Sequence, residues 1–146
     1  MCAFHVLEVE PRIIKELVET GKAKLVYRHL TQIGEGSLIT AEAMHCAGEQ
    51  GAYWRMRSTL YERQNDLYST GSVAGAVQFI ARDMGLDEAA FDSCIQEQRY
   101  RAEVEADAAA SLAEGVRSRP VFDIQGTRLV GAHRFEEFAQ LVEAAQ

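Results

Sequence analysis

The first part of the chain carries apolar residues at steps of three and four positions, which places them on one face of a helix. This spacing predicts a first helix from about Ala3 to Thr20. Pro11 lies inside it and is expected to cause a kink, because proline has no N–H to donate. Gly21 supplies the turn that ends the helix. The apolar positions are Val6, Val9, Ile13 and Leu17.

An alternating pattern follows in the stretch KLVYRHL, from Lys24 to Leu30. Leu25, Tyr27 and His29 alternate with the residues between them, and the stretch is rich in residues that favour strands, so it predicts a short β-strand. A strand without a partner leaves backbone groups unsatisfied. The prediction therefore includes pairing of this strand with the strands expected near the C-terminus.

The middle of the chain returns to helical patterns, interrupted where glycine, serine and threonine cluster. Between the breaks the sequence predicts a block of five helices, after a loop that carries Gly34 and Gly36. The predicted helices are Thr40–Glu49, Tyr53–Gln64, Ser72–Met84, Asp87–Gln96 and Tyr100–Ala113.

The last part changes character again. Val121–Ile124 and Arg128–Val130 read as two short strands joined by a tight Gln125-Gly126 turn, which is the signature of a β-hairpin. RFEEFAQLVEAA then predicts a closing amphipathic helix. The order is helix, strand, helical block, hairpin and helix, which indicates an α/β fold.

Composition narrows the class of protein. The chain has 146 residues, with 15 basic and 22 acidic side chains and a formal charge of -7. The basic residues are scattered, so nothing suggests a surface for nucleic acid. No apolar run approaches membrane-spanning length. Because the first helix begins within a few residues of Met1, we expect no signal peptide in this chain.

Six segments, in order along the chain, resemble the DsbA-like branch of the thioredoxin superfamily. The resemblance implies an α/β, thioredoxin-like fold with a helical insertion, lacking its N-terminal core strand. Residues 1–33 and 115–146 would form the thioredoxin part of a single domain, and residues 34–114 the insertion. The segments are CAFHVLEVEPRII, TGKAKLVYRHL, AEAMHCAGEQGAYW, FDSCIQEQRYRAEVEADAAA, GVRSRPVFDIQG and LVGAHRFEEFAQLVEAA.

In that family the catalytic motif is Cys-x-x-Cys, and its second cysteine leads into a proline-containing helix, as Cys2 does here. The resemblance therefore assigns Cys2 as the resolving cysteine. The first cysteine of such a motif is favoured as a thiolate at a helix N-terminus and attacks the substrate disulfide, and the second thiol resolves the mixed disulfide. That attacking cysteine and its strand are missing, so we expect an incomplete chain that is inactive as given.

Pro120 matches the family's cis-proline, which lies beside the motif and next to backbone that pairs with substrate peptides. Arg119 precedes it, where a small or β-branched residue is more usual, and this difference favours acidic peptides. His5, three residues after Cys2, is grouped with Arg119 as a substrate-binding residue.

Cys46 and Cys94 allow two interpretations. They are either small buried hydrophobic residues or a disulfide between two helices of the insertion. The disulfide interpretation predicts Cα atoms roughly 4.4 to 6.8 Å apart.

The histidines do not predict a metal site. His5 lies near Cys2 and His45 adjoins Cys46, but the pairs lack the spacing of structural zinc ligands. His29 and His133 are expected to make local hydrogen bonds in a strand and a loop. We predict neither a metal nor another cofactor.

Taken with the resemblance, these residues predict a thiol-disulfide oxidoreductase that acts on protein or peptide cysteines. A redox partner in the membrane, an extracytoplasmic location of the full-length protein and a strand-exchanged dimer are further expectations, and nucleic acid is not expected as a partner. Two alternatives stay open. One is a non-catalytic peptide-binding module that uses the groove beside Pro120, and the other is a relative of the kappa-type glutathione transferases.

Overall fold

The computed structural model describes all 146 residues. They form eight helices and one two-stranded sheet. The chain divides into two compact units. The terminal unit consists of Met1–Tyr27 and Gly115–Gln146, and the helical unit consists of Arg28–Glu114.

Helix α1 of the terminal unit spans residues 2–18 and continues through Pro11. It contains α-helical segments at Cys2–Phe4 and Glu10–Ile13, and wider π-helical turns at His5–Val9 and Ile14–Val18. Pro11 cannot donate to the carbonyl of the preceding turn, and π-type turns are a common way for a helix to absorb such a local irregularity. The helix prediction is confirmed, with π turns on both sides of the proline.

The sheet of the terminal unit is an antiparallel hairpin of β1, Val121–Ile124, and β2, Thr127–Val130. The two turn residues have positive φ angles of 46° at Gln125 and 87° at Gly126, the backbone combination that two-residue hairpins prefer. Helix α8, Phe135–Ala144, follows. Side chains from α1 and α8 form a buried cluster against the hairpin, made of Val9, Ile13, Leu17, Phe135 and Phe138.

The predicted strand from Lys24 to Leu30 is not formed, which corrects the prediction from its alternating pattern. The segment makes no ladder, and the sheet contains β1 and β2 alone. Exposure still alternates along residues 23–28, as a strand pattern requires. A strand exists only where a second strand supplies backbone partners, and the hairpin does not supply them.

The helical unit contains six helices where the sequence predicted five. The first begins earlier than predicted, and the predicted Tyr53–Gln64 helix is followed by a further short helix. The other three agree with the predicted ranges within two residues at each end. The observed helices are α2 Gly34–Gly48, α3 Tyr53–Glu62, α4 Gln64–Ser69, α5 Val73–Asp83, α6 Glu88–Gln96 and α7 Arg101–Ala113.

Two of these helices have well-defined starts. The Ser72 hydroxyl accepts a hydrogen bond from the Gly75 N–H ahead of α5, and the Asp87 carboxylate accepts one from the Ala90 N–H ahead of α6. Such N-caps satisfy backbone donors that the helix leaves unpaired. Most of the buried side chains of the unit are apolar, and the largest fully buried ones are Phe91, Met56, Ile80, Val77, Val104, Cys46 and Cys94.

Candidate functional site

Cys2 is the free cysteine of the chain and the first helical residue of α1. It is half-buried. A free cysteine is the group that takes part in thiol-disulfide exchange.

His5 lies three residues further on and is almost fully buried, with 3% of its surface exposed. Its ring centroid is 4.4 Å from that of Phe122 in β1 and 5.5 Å from that of Phe138 in α8. Its Nε2 lies 3.6 Å from Oε2 of the buried Glu10, and its Nδ1 has no hydrogen-bond partner. The ring therefore joins α1 to the hairpin and α8, and its role in substrate binding stays a prediction.

Pro120 lies directly ahead of β1, and the Arg119–Pro120 peptide bond is cis. The Pro120 carbonyl accepts a hydrogen bond of 2.9 Å from the N–H of Gly131, just beyond β2, so the proline is fixed at one end of the hairpin. Both Arg119 and Pro120 are partly exposed. This end of the hairpin can present backbone and an arginine side chain to a peptide.

The His5–Phe122 contact connects the two parts of the candidate site. It joins the residue three positions after Cys2 to the residue two positions after Pro120. The first turn of α1 and the first residues of β1 are thus packed together. Cys2 thus lies on the helix that packs against the strand following cis-Pro120, and a shared role of the two residues in catalysis stays a prediction.

In the helical unit, Cys46 of α2 and Cys94 of α6 form a disulfide with an S–S distance of 2.04 Å and Cα atoms 5.8 Å apart. The two residues are 1% and 0% exposed. Attack on a disulfide requires access of a thiolate to one of its sulfurs. This buried disulfide is therefore a structural bond of the unit, and Cys2 is the thiol available for exchange.

The structure also brings together two histidines for which no sequence pattern predicted a contact. Nε2 of His29 lies 2.9 Å from Nε2 of His45, and the Tyr53 hydroxyl lies 3.5 Å from the same His29 atom. Burial, with the nearby His45 as the second cause, lowers the pKa of His29 to about 4. No group of three or more His, Cys, Asp or Glu side chains is arranged to hold a metal ion.

A surface groove of about 550 Å³ lies in the helical unit between α4 and α5. Arg63, Thr70 and Phe79 are among its lining residues. The Arg63 guanidinium already pairs with two carboxylates, each at 3.0 Å, so it is not available as a free cation to recognise an anionic ligand. None of the helices of the chain is long and apolar enough to cross a membrane.

The fold and the site together define a class, that of thioredoxin-like proteins with a helical insertion. A family model described as Thioredoxin matches residues 1–144. The chain belongs to the thioredoxin family, and the predictions of family and of fold class are both confirmed.

Solved structures of DsbA-like proteins have a similar fold. The chain is similar to alpha-DsbA1 of Wolbachia pipientis, with 18% identity, a TM-score of 0.82 and coverage of 98% of this chain and 78% of that one. It is similar to BdbD of Bacillus subtilis, with 16% identity, a TM-score of 0.85 and coverage of 98% and 79%. A thioredoxin-like oxidoreductase of Silicibacter pomeroyi gives 25% identity, a TM-score of 0.71 and coverage of 90% and 74%.

Among curated proteins, the chain is similar to parts of Na(+)/H(+) antiporters. It is 28% identical over 140 residues to NhaA 3 of Salinispora tropica, covering 94% of this chain and 21% of that protein. It is 28% identical over 123 residues to NhaA of Herminiimonas arsenicoxydans, covering 84% and 19%. The chain thus spans about a fifth of the length of these relatives.

Proposed function

We propose that this chain is the Cys2-bearing part of a DsbA-like thiol-disulfide oxidoreductase that acts on the cysteines of other proteins. The observation that carries the proposal is the packing of the first turn of α1, which begins at the free Cys2, against the start of β1 beside cis-Pro120. In this assignment Cys2 is the resolving cysteine, and the attacking cysteine lies three positions ahead of it, outside the given sequence. Arg119 is proposed to contact acidic peptide substrates.

The proposed reaction has two exchange steps. The attacking thiolate displaces one sulfur of a disulfide, which leaves as a thiolate, and forms a mixed disulfide. The Cys2 thiolate then attacks the enzyme-side sulfur of that mixed disulfide and releases the second thiolate, so both electrons of the exchange stay with the released thiols. Cys46 and Cys94 are bonded to each other, so residues 1–146 contain no second free thiol that could resolve a mixed disulfide formed on Cys2.

The 146-residue chain is therefore expected to react once and stop. Incubated with glutathione disulfide, it should gain one glutathione on Cys2, detected by mass spectrometry, because Cys2 is the free thiol of the chain. Cys2→Ser should gain none. Turnover in insulin reduction should stay at the background rate, because no second thiol resolves the adduct.

An extended chain with a cysteine three positions ahead of Cys2 should recover turnover in the same assay. Cys2→Ser in that chain is the matched control, since it keeps the attacking thiol and removes the resolving one. Turnover by the 146-residue chain that disappears in Cys2→Ala would contradict the two-cysteine assignment.

The proposal also includes an extracytoplasmic location for the protein and a redox partner in the membrane. Disulfides persist in oxidising compartments, so the buried Cys46–Cys94 bond supports an extracytoplasmic site of action. In such a location a membrane redox partner would re-oxidise or re-reduce the complete motif.

The similarity to antiporters favours a second candidate function. This similarity extends over 94% of this chain. A non-catalytic thioredoxin-fold module attached to a membrane transporter would produce the same match. Such a module would bind peptide in the groove beside Pro120 and would not need Cys2. Peptide binding that Cys2→Ser leaves unchanged, together with no turnover in the extended chain, would favour this second function.

A further inference from the structure

His133 faces an acceptor with each of its ring nitrogens. Its Nδ1 lies 2.8 Å from Oε2 of Glu137 in the first turn of α8. Its Nε2 lies 3.1 Å from the carbonyl oxygen of Val130, the last residue of β2. A carboxylate and a carbonyl can only accept hydrogen bonds, so the ring makes both contacts only when both nitrogens carry a proton. In this geometry His133 is an imidazolium.

The surroundings of His133 favour the charged form. The hydrogen bond to Glu137 is the largest cause that raises the pKa of His133 above its ordinary value of about 6.5, and the bond to Val130 is the second. The contact with His133 in turn lowers the pKa of Glu137, and the bond from the Arg134 N–H is the second cause of that decrease. Glu137 of α8 is thus ionised and pairs with the ring, while β2 offers it a neutral carbonyl.

The register of the hairpin turns the Val130 carbonyl toward the open edge of β2. Val130 lies opposite Val121. In the next pair outward, the Gly131 N–H donates to the Pro120 carbonyl at 2.9 Å. Hydrogen-bonded and non-hydrogen-bonded pairs alternate along an antiparallel ladder, so the carbonyl of Val130 points away from β1. His133 is the donor that reaches it there.

One peptide unit connects His133 with Pro120. The Val130 carbonyl and the Gly131 N–H belong to the same planar unit, so His133 holds one side of it and Pro120 accepts from the other. Hydrogen bonds linked in this way polarise one another. Because proline has no N–H, the pair of Pro120 and Gly131 contains one hydrogen bond, and the orientation of this peptide unit decides whether it forms.

We propose that His133, as the imidazolium, is a positioning residue that fixes the Pro120 end of the hairpin through the peptide unit between Val130 and Gly131. Its two N–H groups tie this unit to Glu137 and so to α8. Loss of one proton leaves a lone pair facing an acceptor, and one of the two contacts breaks. The peptide unit is then free to turn, and the Pro120 carbonyl loses its fixed donor.

The pH range follows from the direction in which the pKa of His133 moves. A pKa raised by folding means that the contacts are complete below about pH 6.5 and are lost as the pH rises through the higher pKa of the folded protein. The consequence for exchange rests on the proposed function. A peptide that binds beside Pro120 meets a fixed backbone while His133 is charged and a looser one when it is neutral.

An NMR titration of the 146-residue chain tests the positioning role. Both ring nitrogens of His133 should give ¹⁵N shifts of protonated nitrogen at about pH 6, and the measured pKa should exceed about 6.5. Protection of the Gly131 amide from hydrogen exchange, corrected for the intrinsic pH dependence, should fall over the same titration. Linkage sets the size of this fall at about tenfold for each pH unit by which the measured pKa exceeds 6.5.

Two variants separate the charge of His133 from its presence. His133→Lys donates to both acceptors and stays charged throughout, so the Gly131 amide should keep its protection at about pH 8. His133→Gln is never charged, so the amide should show the lower protection at every pH. Glu136→Gln is the matched control, because Glu136 lies in the same turn of α8 but pairs with Arg12 at 3.0 Å. It should leave the titration unchanged.

Gly131 protection that stays constant while His133 titrates would overturn the proposal. So would a wild-type titration of the amide in His133→Gln, or loss of its protection in His133→Lys. These measurements do not involve Cys2.

The role in exchange is measured in the extended chain that carries the attacking cysteine. The kcat/KM for insulin reduction by His133→Lys should equal that of the wild type at about pH 6 and exceed it at about pH 8, where His133 is neutral. An equal kcat/KM at both pH values would overturn a role of His133 in exchange. Absence of turnover at either pH would instead contradict the proposed oxidoreductase function, while the response of the Gly131 amide would still support the positioning role.

Discussion

Replacing Cys46 and Cys94 together by alanine is expected to lower the free energy of unfolding by about 4 kcal/mol. The disulfide closes a loop with a sequence separation of 48 residues. In the chain-entropy description a cross-link of that length removes about 4 kcal/mol of conformational freedom from the unfolded chain. Both cysteines are fully buried, so the packing lost with their sulfur atoms also lowers the free energy of unfolding.

Urea unfolding followed by circular dichroism measures this change. Cys2→Ala is the matched control, because it also removes a cysteine but from a half-buried position outside the disulfide. We expect the control to lie within about 1 kcal/mol of the wild type. A double variant as stable as the control would show that the unfolded chain gains little freedom when the bond is lost.

The positions of the helices could be predicted because their signals are local. Asp87 and Ser72 cap the helices that begin directly after them, and each is followed by an apolar face with helical spacing. The Gln125-Gly126 turn fixes the hairpin in the same way, because its backbone angles depend on two neighbouring residues. Local chemistry of this kind is readable from one sequence.

The prediction of a strand from Lys24 to Leu30 was wrong because the signal for a strand is not local. The alternation is observed in the exposure of the side chains, but the hydrogen bonds of a strand require a second segment. The pattern specifies which side chains face the interior and does not supply a partner. The alternating pattern therefore predicts the exposure of the side chains correctly and the secondary structure incorrectly.

The candidate site was predictable only in part. Cys2 and Pro120 could be proposed from the sequence because each matches a position of a family motif, and their catalytic roles stay predictions. The His29–His45 contact was missed, since the two residues are on different elements and their separation along the chain has no characteristic spacing. The single indication in the sequence was a histidine in a strand-like stretch, at a position where alternation turns it inward.

The unformed strand leads to the second large effect, which is self-association of the 146-residue chain. Residues 24–30 have a strand-like sequence and no ladder, and β1 is bonded on one edge only. Unpaired edges recruit other chains, so we expect dimers or larger species at micromolar to millimolar concentrations. Sedimentation velocity across a concentration series measures their proportion.

Val26→Pro and Val26→Lys test whether backbone pairing causes the association. Val26 is 66% exposed, so neither change disturbs a core. Proline removes an N–H donor, and lysine places a charge on the edge, which natural sheets use against edge pairing. Both variants should shift the distribution to monomer, with a dissociation constant at least about tenfold higher, equivalent to about 1.4 kcal/mol.

Ile33→Lys is the matched control for these variants. Ile33 is 60% exposed and lies outside the strand-like segment, so its replacement removes a similar apolar surface without affecting a strand edge. If Ile33→Lys weakens association as much as Val26→Pro does, apolar contact rather than strand pairing holds the chains together. A wild-type chain that remains monomeric over the whole series would contradict the prediction of self-association.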